Sequence, residues 1–149
     1  VFQDSGDAVR FGLLFQVGML AARWPEIKPE HLNIERNPQG KIIARGPRVR
    51  ILVHCSTAIS AKAKWPSLDD PAPSRDQYSG AGLDDALALA EYVHFGQLVV
   101  TEPVWQKVLG QLPPMVQIIS LGSHVLRGVA GVQNLMELAP HCLADRAFP

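Results

Sequence analysis

The stretch from Tyr78 to Thr101, Tyr-Ser-Gly-Ala-Gly-Leu-Asp-Asp-Ala-Leu-Ala-Leu-Ala-Glu-Tyr-Val-His-Phe-Gly-Gln-Leu-Val-Val-Thr, constrains this chain more than any other. Ser79-Gly-Ala-Gly82 is turn chemistry, Asp84 and Asp85 are helix-start acids, and the Ala/Leu run after them favours a helix. The pattern predicts about three and a half helical turns. Leu83, Ala86, Leu87, Ala90 and Val93 face a core in this reading, and Gly96 ends it. Gln97–Val100 then reads as a short apolar strand. Asp84 and Ala88 lie four apart, so on a helix their side chains point the same way.

The chain has 149 residues, one domain's worth, and 1–149 is expected to form a single, partial domain with a substantial core. Fourteen basic residues balance fourteen acidic ones, so no net field steers it to nucleic acid or a membrane surface. No nucleic-acid-binding motif is present. No apolar run approaches the roughly 18 residues of a membrane span. Cys55 and Cys142 do not make a disulfide framework. Reduced thiols are expected, in an intracellular, cytoplasmic setting. Val1-Phe2 reads as the tail of a strand, and the expectation is a piece of something longer.

Upstream of the central stretch, Asp4-Ser5-Gly6-Asp7 supplies capping oxygens and first-turn acid for a helix to about Ala22. Ala8, Phe11, Phe15, Gly18, Met19 and Ala22 share one face. Leu13, Leu14, Val17 and Leu20 make the helix apolar nearly all round, which argues burial or an interface. His31–Arg36 and Lys41–Ala44 flank Asn37-Pro-Gln-Gly40 as a hairpin. Ile51-Leu-Val53 suits a strand covered on both faces. Residues 60–77, with Pro66, Pro71 and Pro73, read as an exposed loop. Thr101 caps a short helix with Pro103 in its first turn. Met115–Leu121, His124–Val129 and Val132–Leu138 read as three strands broken at Gly122-Ser123 and Ala130-Gly131. Helices alternate with strands and hairpins, so an α+β fold is expected.

Four stretches, in order, resemble the catalytic domain of the class III nucleotidyl cyclases, the adenylate and guanylate cyclase family. Asp7–Gln16 with Ala21-Ala-Arg-Trp-Pro25 is similar to the helix after the family's metal-binding hairpin. Gly46-Pro-Arg-Val-Arg-Ile-Leu-Val-His54 resembles the strand ending in Gly-Ile-His-Thr-Gly. Tyr78–Thr101 resembles Tyr-Phe-Gly-x-x-Val-Asn-x-Ala-Ala-Arg followed by Gly-Gln-x-x-Val-Ser. Leu121-Gly-Ser-His-Val-Leu-Arg-Gly-Val129 and Leu135-Met-Glu-Leu138 are similar to the closing Leu-Gly-x-His-x-Leu-Lys-Gly-Val and Leu-Tyr-Glu-Leu. The resemblance implies a ferredoxin-like core and head-to-tail dimers with nucleotide sites between them. It also implies conversion of ATP or GTP to a cyclic monophosphate, with two Mg²⁺ or Mn²⁺ ions held by two aspartates. Those aspartates would precede Val1, so no metal ligand is expected in this chain.

Aligned this way, the family's transition-state Asn and Arg fall at Asp84 and Ala88. The Arg stabilises charge building on the α-phosphate, which alanine cannot do; losing such a contact costs about 10²–10³ in rate. A carboxylate at Asp84 accepts hydrogen bonds where an amide would donate. At about 4 Å it opposes a phosphate charge by up to roughly 4 kcal/mol at an effective dielectric near 20. The plainer reading of Asp84 and Asp85 is that they are helix-start residues. Gln77 falls at the base-recognising position and Arg127 at that of a phosphate-contacting Lys, so these two are the candidate nucleotide-binding residues. Each also reads as a solvated residue without a ligand. Leu52 and Ser56 replace glycines, which disfavours close backbone approach there.

His54-Cys55 and His141-Cys142 make poor zinc pairs, because neighbours on a strand face opposite ways. Ser79-Gly-Ala-Gly82 lacks the lysine and spacing of a phosphate loop. The leading expectation is a degenerate cyclase-homology domain, non-catalytic alone. It would serve as a dimerisation, regulatory or scaffolding module in a larger signalling or cytoskeletal assembly, its partner a second cyclase-like domain or that assembly. The alternatives are the partner half of an active cyclase and a sensor that binds ATP or GTP without turnover.

Overall fold

The computed structural model describes residues 1–24, 34–63 and 76–148. Its centre is a strand, β6 (Leu98–Thr101), in which every residue is buried. The run Leu-Val-Val-Thr suits this place, since branched side chains pack well on a pleated surface. β3 (Ile51–Val53) runs parallel on one side of it, and β8 (Val132–Pro140) antiparallel on the other. β7 (Val116–Val125) pairs with β8, giving the order β3-β6-β8-β7. Within this sheet Leu98 and Val100 face one side and Val99 the other, as strand alternation requires.

The first face is covered by α1 (Ser5–Ala21) and α3 (Glu102–Val108), whose Val9, Leu13, Val104 and Val108 pack with Leu98, Val100 and Leu138. Asp4 caps α1 as the sequence predicts, its Oδ1 accepting from the Asp7 N–H at 3.0 Å. The buried face of α1 keeps Ala8 of the expected row but is otherwise turned from it. Val9, Gly12, Leu13 and Gln16 are buried, whereas Phe11 and Gly18 are exposed. Gly12 suits this close packing, since a Cβ there would sit 3.0 Å from Leu98 Cδ1 and force that side chain to give way. Phe11 instead joins an outward row with Phe2 and Phe15, ring centroids 5.4 and 5.9 Å apart.

The second face carries Val93, Val99 and Leu135, with Leu52, Leu121 and Leu126 packed against them. α2 (Ala81–Ala90) lies beside β3, shorter than the sequence suggests. Its fully buried side chain is Leu89, and Leu87 points out at 62% exposure, so this face too is rotated from the expected one. Val93 is buried as predicted, but from the turn after the helix.

Two ribbons complete the described structure. β1 (Ile34–Arg36) and β2 (Ile42–Arg45) form the predicted hairpin, closed by Gly40 N–H to Asn37 O. The part of its first run at His31–Asn33 lies outside the described residues. Asn37 also ties the hairpin to the C-terminal segment through its Nδ2 donating to Asp145 Oδ2 at 2.9 Å. Against expectation, 60–77 is not all loop: β4 (Ser60–Ala63) and β5 (Asp76–Ser79) pair antiparallel, and Pro66, Pro71 and Pro73 lie outside the described residues. Cross-strand pairing gives these polar residues the backbone partners that their composition does not announce.

Two of the three expected tail strands are one. Gly122, at φ 85°, forms a bulge within β7 instead of ending it, and the chain turns only after Val125. The whole is an α+β fold with a mixed sheet.

Candidate functional site

The start of α2 is pressed against the backbone of residues 56–59. Gly80 has φ 130°, and a Cβ on it would lie 2.3 Å from Ala58 O. The Gly82 N–H donates to that carbonyl at 3.1 Å. A Cβ on Gly82 would meet Ser56 Oγ at 2.2 Å. The start of α2 thus lies close to the chain at Ser56 and Ala58, although Ser56 replaces a glycine. The glycines that permit it stand on the other partner, Gly80 and Gly82.

From this anchored start, Asp84 projects exposed in the first helical turn and Ala88 lies half-buried one turn on. A Cβ on Gly128 would be 3.7 Å from the Ala88 Cβ, so the turn after β7 rests against this point of the helix. Tyr92 holds that turn in place: its Oη accepts from the Arg127 N–H at 3.1 Å. The structure thus brings Ala88 and the Arg127-Gly128 turn together, with the Arg127 side chain exposed. Gln77 is exposed on β5, opposite Lys62, and so stands on a strand, not a loop.

Asp84 and Asp85 have different surroundings. Asp85 is half-buried near His54, whose Nδ1 lies 3.4 Å from Thr101 Oγ1. Burial pushes the His54 imidazole below its ordinary value of 6.5, while the charge of Asp85 pulls it back up. Asp85 therefore sits against the sheet, and Asp84 alone faces solvent from that pair.

The two metal ions implied by the resemblance need a set of converging carboxylates. Among the described residues no three His, Cys, Asp or Glu side chains come together as a metal site. Asp84 and Asp85 diverge as just described. The described residues do not fit the metals.

One polar pair was not singled out from the sequence. Gln97 and Glu137, 4% and 7% exposed, meet across β6 and β8, with Gln97 Nε2 donating to Glu137 Oε2 at 2.7 Å. Their signal was visible as polar residues inside apolar strands, at Gly96-Gln97 and in Leu135-Met-Glu-Leu138. Both line a part-open hollow of about 440 Å³ on the second sheet face, shared with Tyr92, His94, His124 and Arg146.

No protein-family model matches the chain. Among curated proteins it is similar to three of Acanthamoeba polyphaga mimivirus that carry the name serine/threonine-protein kinase/receptor. One is 32% identical over 110 residues, 72% of this chain and 6% of the relative. A second is 30% identical over 150 residues, 99% of this chain and 9% of the relative. A third is 31% identical over 110 residues, again 72% and 6%. The chain thus spans less than a tenth of the length of the curated relatives it matches. Among solved structures it superposes on adenylate cyclases from Trypanosoma brucei in their monomeric state. One has a TM-score of 0.66 at 17% identity, covering 97% of this chain and 67% of the other. Another has a TM-score of 0.68 at 18% identity, covering 98% and 66%. The chain has a class III cyclase-like fold.

Proposed function

We propose that this cyclase-fold domain is a non-catalytic module that works by pairing with a second cyclase-like domain or within a larger signalling assembly. One observation carries the reading. At the place where the family's pattern calls for a fixed cation, Ala88 rests against the Gly128 turn, and Asp84 offers an exposed carboxylate one turn earlier. The Asp84 carboxylate opposes a polyphosphate charge there, and the Ala88 methyl cannot stabilise charge growing on it. That the chain matches less than a tenth of long kinase/receptor proteins suits a module built into a larger chain.

The test is a cyclic-nucleotide assay of the full-length protein with ATP or GTP and Mn²⁺. The expected result is no product above background. Turnover that falls when Asp84 is replaced by Ala would overturn the proposal.

A second reading is favoured by Arg127, which the Tyr92-anchored turn leaves exposed beside α2. The domain would then give its cationic turn to a site that a second cyclase domain completes with its own Asn and Arg. Co-expressed with such a partner, product formation should drop with Arg127→Met and be indifferent to Asp84→Asn with Ala88→Arg. The opposite pattern removes this reading.

A further inference from the structure

A cleft lies between α1, the β1–β2 hairpin, the 47–49 segment, Phe95-Gly96 and the C-terminal residues. Its ionisable lining is Arg45, Arg48, Arg146 and Glu35, so three guanidinium groups face one carboxylate. Glu35 is already paired with Arg48.

The floor of the cleft is Gly96, at φ 95°. A Cβ there would point to Arg146 Nη1 at 3.8 Å, Arg48 Cδ at 4.0 Å and Phe148 Cε1 at 3.7 Å. The missing side chain therefore opens a small cradle, with two arginine side chains on its rim. Gly96 O does not supply a counter-charge for Arg146. It is a neutral carbonyl, already taking hydrogen bonds from Gln16 Nε2 at 3.1 Å and Arg146 Nη1 at 2.8 Å. Arg45 brings a third guanidinium to the lining; its Nε is buried and has no hydrogen-bond partner among the described residues. A buried donor without an acceptor costs about 1–3 kcal/mol. The charge of Arg48 further disfavours the charged form of Arg146, after burial itself. Arg146 Nε already donates to Ile43 O at 2.7 Å and Arg48 is paired with Glu35, so the donor without a partner among the described residues is Arg45 Nε, while the three like charges outnumber the one carboxylate.

We propose that the Gly96 cleft binds one small oxyanion group, a phosphoryl or a carboxylate, held by Arg45, Arg48 and Arg146. Three features fit this chemistry. Planar guanidinium forks match the geometry of carboxylate and phosphate oxygens. Two positive charges remain after Glu35 is counted. The room in this part-open cleft, about 30 Å³, is roughly what two water molecules need and suits the oxygens of one group. The site is separate from Ala88 and Arg127 and does not depend on how those residues are read.

The experiment is titration calorimetry of the protein with inorganic phosphate and, in a second arm, with acetate at matched ionic strength. One saturable site is expected. Tighter phosphate assigns the phosphoryl group, and equal or tighter acetate assigns the carboxylate. Arg48→Met and Arg45→Met should each weaken binding about tenfold or more, the usual weight of a charge-assisted hydrogen bond. Arg127→Met should leave it unchanged. Glu35→Gln should tighten binding, because it removes the carboxylate that competes for Arg48, and a misfolded variant cannot imitate a gain. The proposal is overturned by no saturable binding of either ion, by loss that follows Arg127, or by Glu35→Gln that weakens binding or leaves it unchanged.

Discussion

Removing the amide of Gln97 should show how much the buried polar bridge between β6 and β8 holds. Gln97 Nε2 and Glu137 Oε2 are 2.7 Å apart, and both residues are more than nine-tenths buried. A hydrogen bond to a charged group contributes about 1.5–3 kcal/mol, and stranding a buried carboxylate costs at least that much. Gln97→Leu should therefore destabilise the domain by about 3 kcal/mol, which lowers Tm by roughly 6–12 °C at this size. Replacing both partners, Gln97→Leu with Glu137→Leu, removes the stranded charge and should recover part of the loss, the remainder reflecting the His94 N–H, which donates to Gln97 Oε1 at 3.1 Å and loses that acceptor. The assay is a double-mutant cycle by urea unfolding. A coupling above about 1 kcal/mol is expected for groups in direct contact. Coupling below about 0.5 kcal/mol, with the single losses adding, would refute the view that the two side chains act as one unit.

Three further outcomes follow from the geometry. Gly82→Ala, whose new Cβ would lie 2.2 Å from Ser56 Oγ, should lower stability by about 1–3 kcal/mol, and Ser56→Gly should restore much of it in thermal melts. Burial depresses the His54 imidazole, so the unfolded chain binds the proton more readily than the folded one. The His54 contribution is then intact above about pH 6.5 and lost as pH falls from there through the lower folded-state value. Urea midpoints taken across that window should fall less in His54→Gln than in the wild type. In the same assay Leu89→Ala, 1% exposed, should cost about 2–5 kcal/mol, and Leu87→Ala, 62% exposed, should stay within about 0.5 kcal/mol.

The element list was largely legible because it depends on local chemistry. Asp4 caps α1, Asn37 and Gly40 close the hairpin, and Leu-Val-Val-Thr forms a strand for reasons contained within a few residues. The α+β class and the likeness to the cyclases were readable for the same reason, as motifs in order along the chain. Asp84 and Ala88 on one helix face were readable too, since helical spacing alone places them.

Tertiary structure decided which way each helix turns and which segments pair. An apolar sequence all round α1 leaves its burial undetermined, and packing of Val9 and Leu13 on Leu98, Val100 and Leu138 picks the face. The alternating Ala and Leu of α2 are equally ambiguous, and packing buries Leu89 instead of Leu87. β4 and β5 exist because Ser60–Ala63 meets Asp76–Ser79, a pairing between distant residues that neither segment encodes alone. The same holds for the sites. Sequence spacing put Asp84 and Ala88 on one face of a helix, but only the fold set Ala88 against the Arg127-Gly128 turn, joined Gln97 to Glu137, and collected Arg45, Arg48 and Arg146 around Gly96. A local pattern fixes what a residue can do, and contacts across the fold fix what stands beside it.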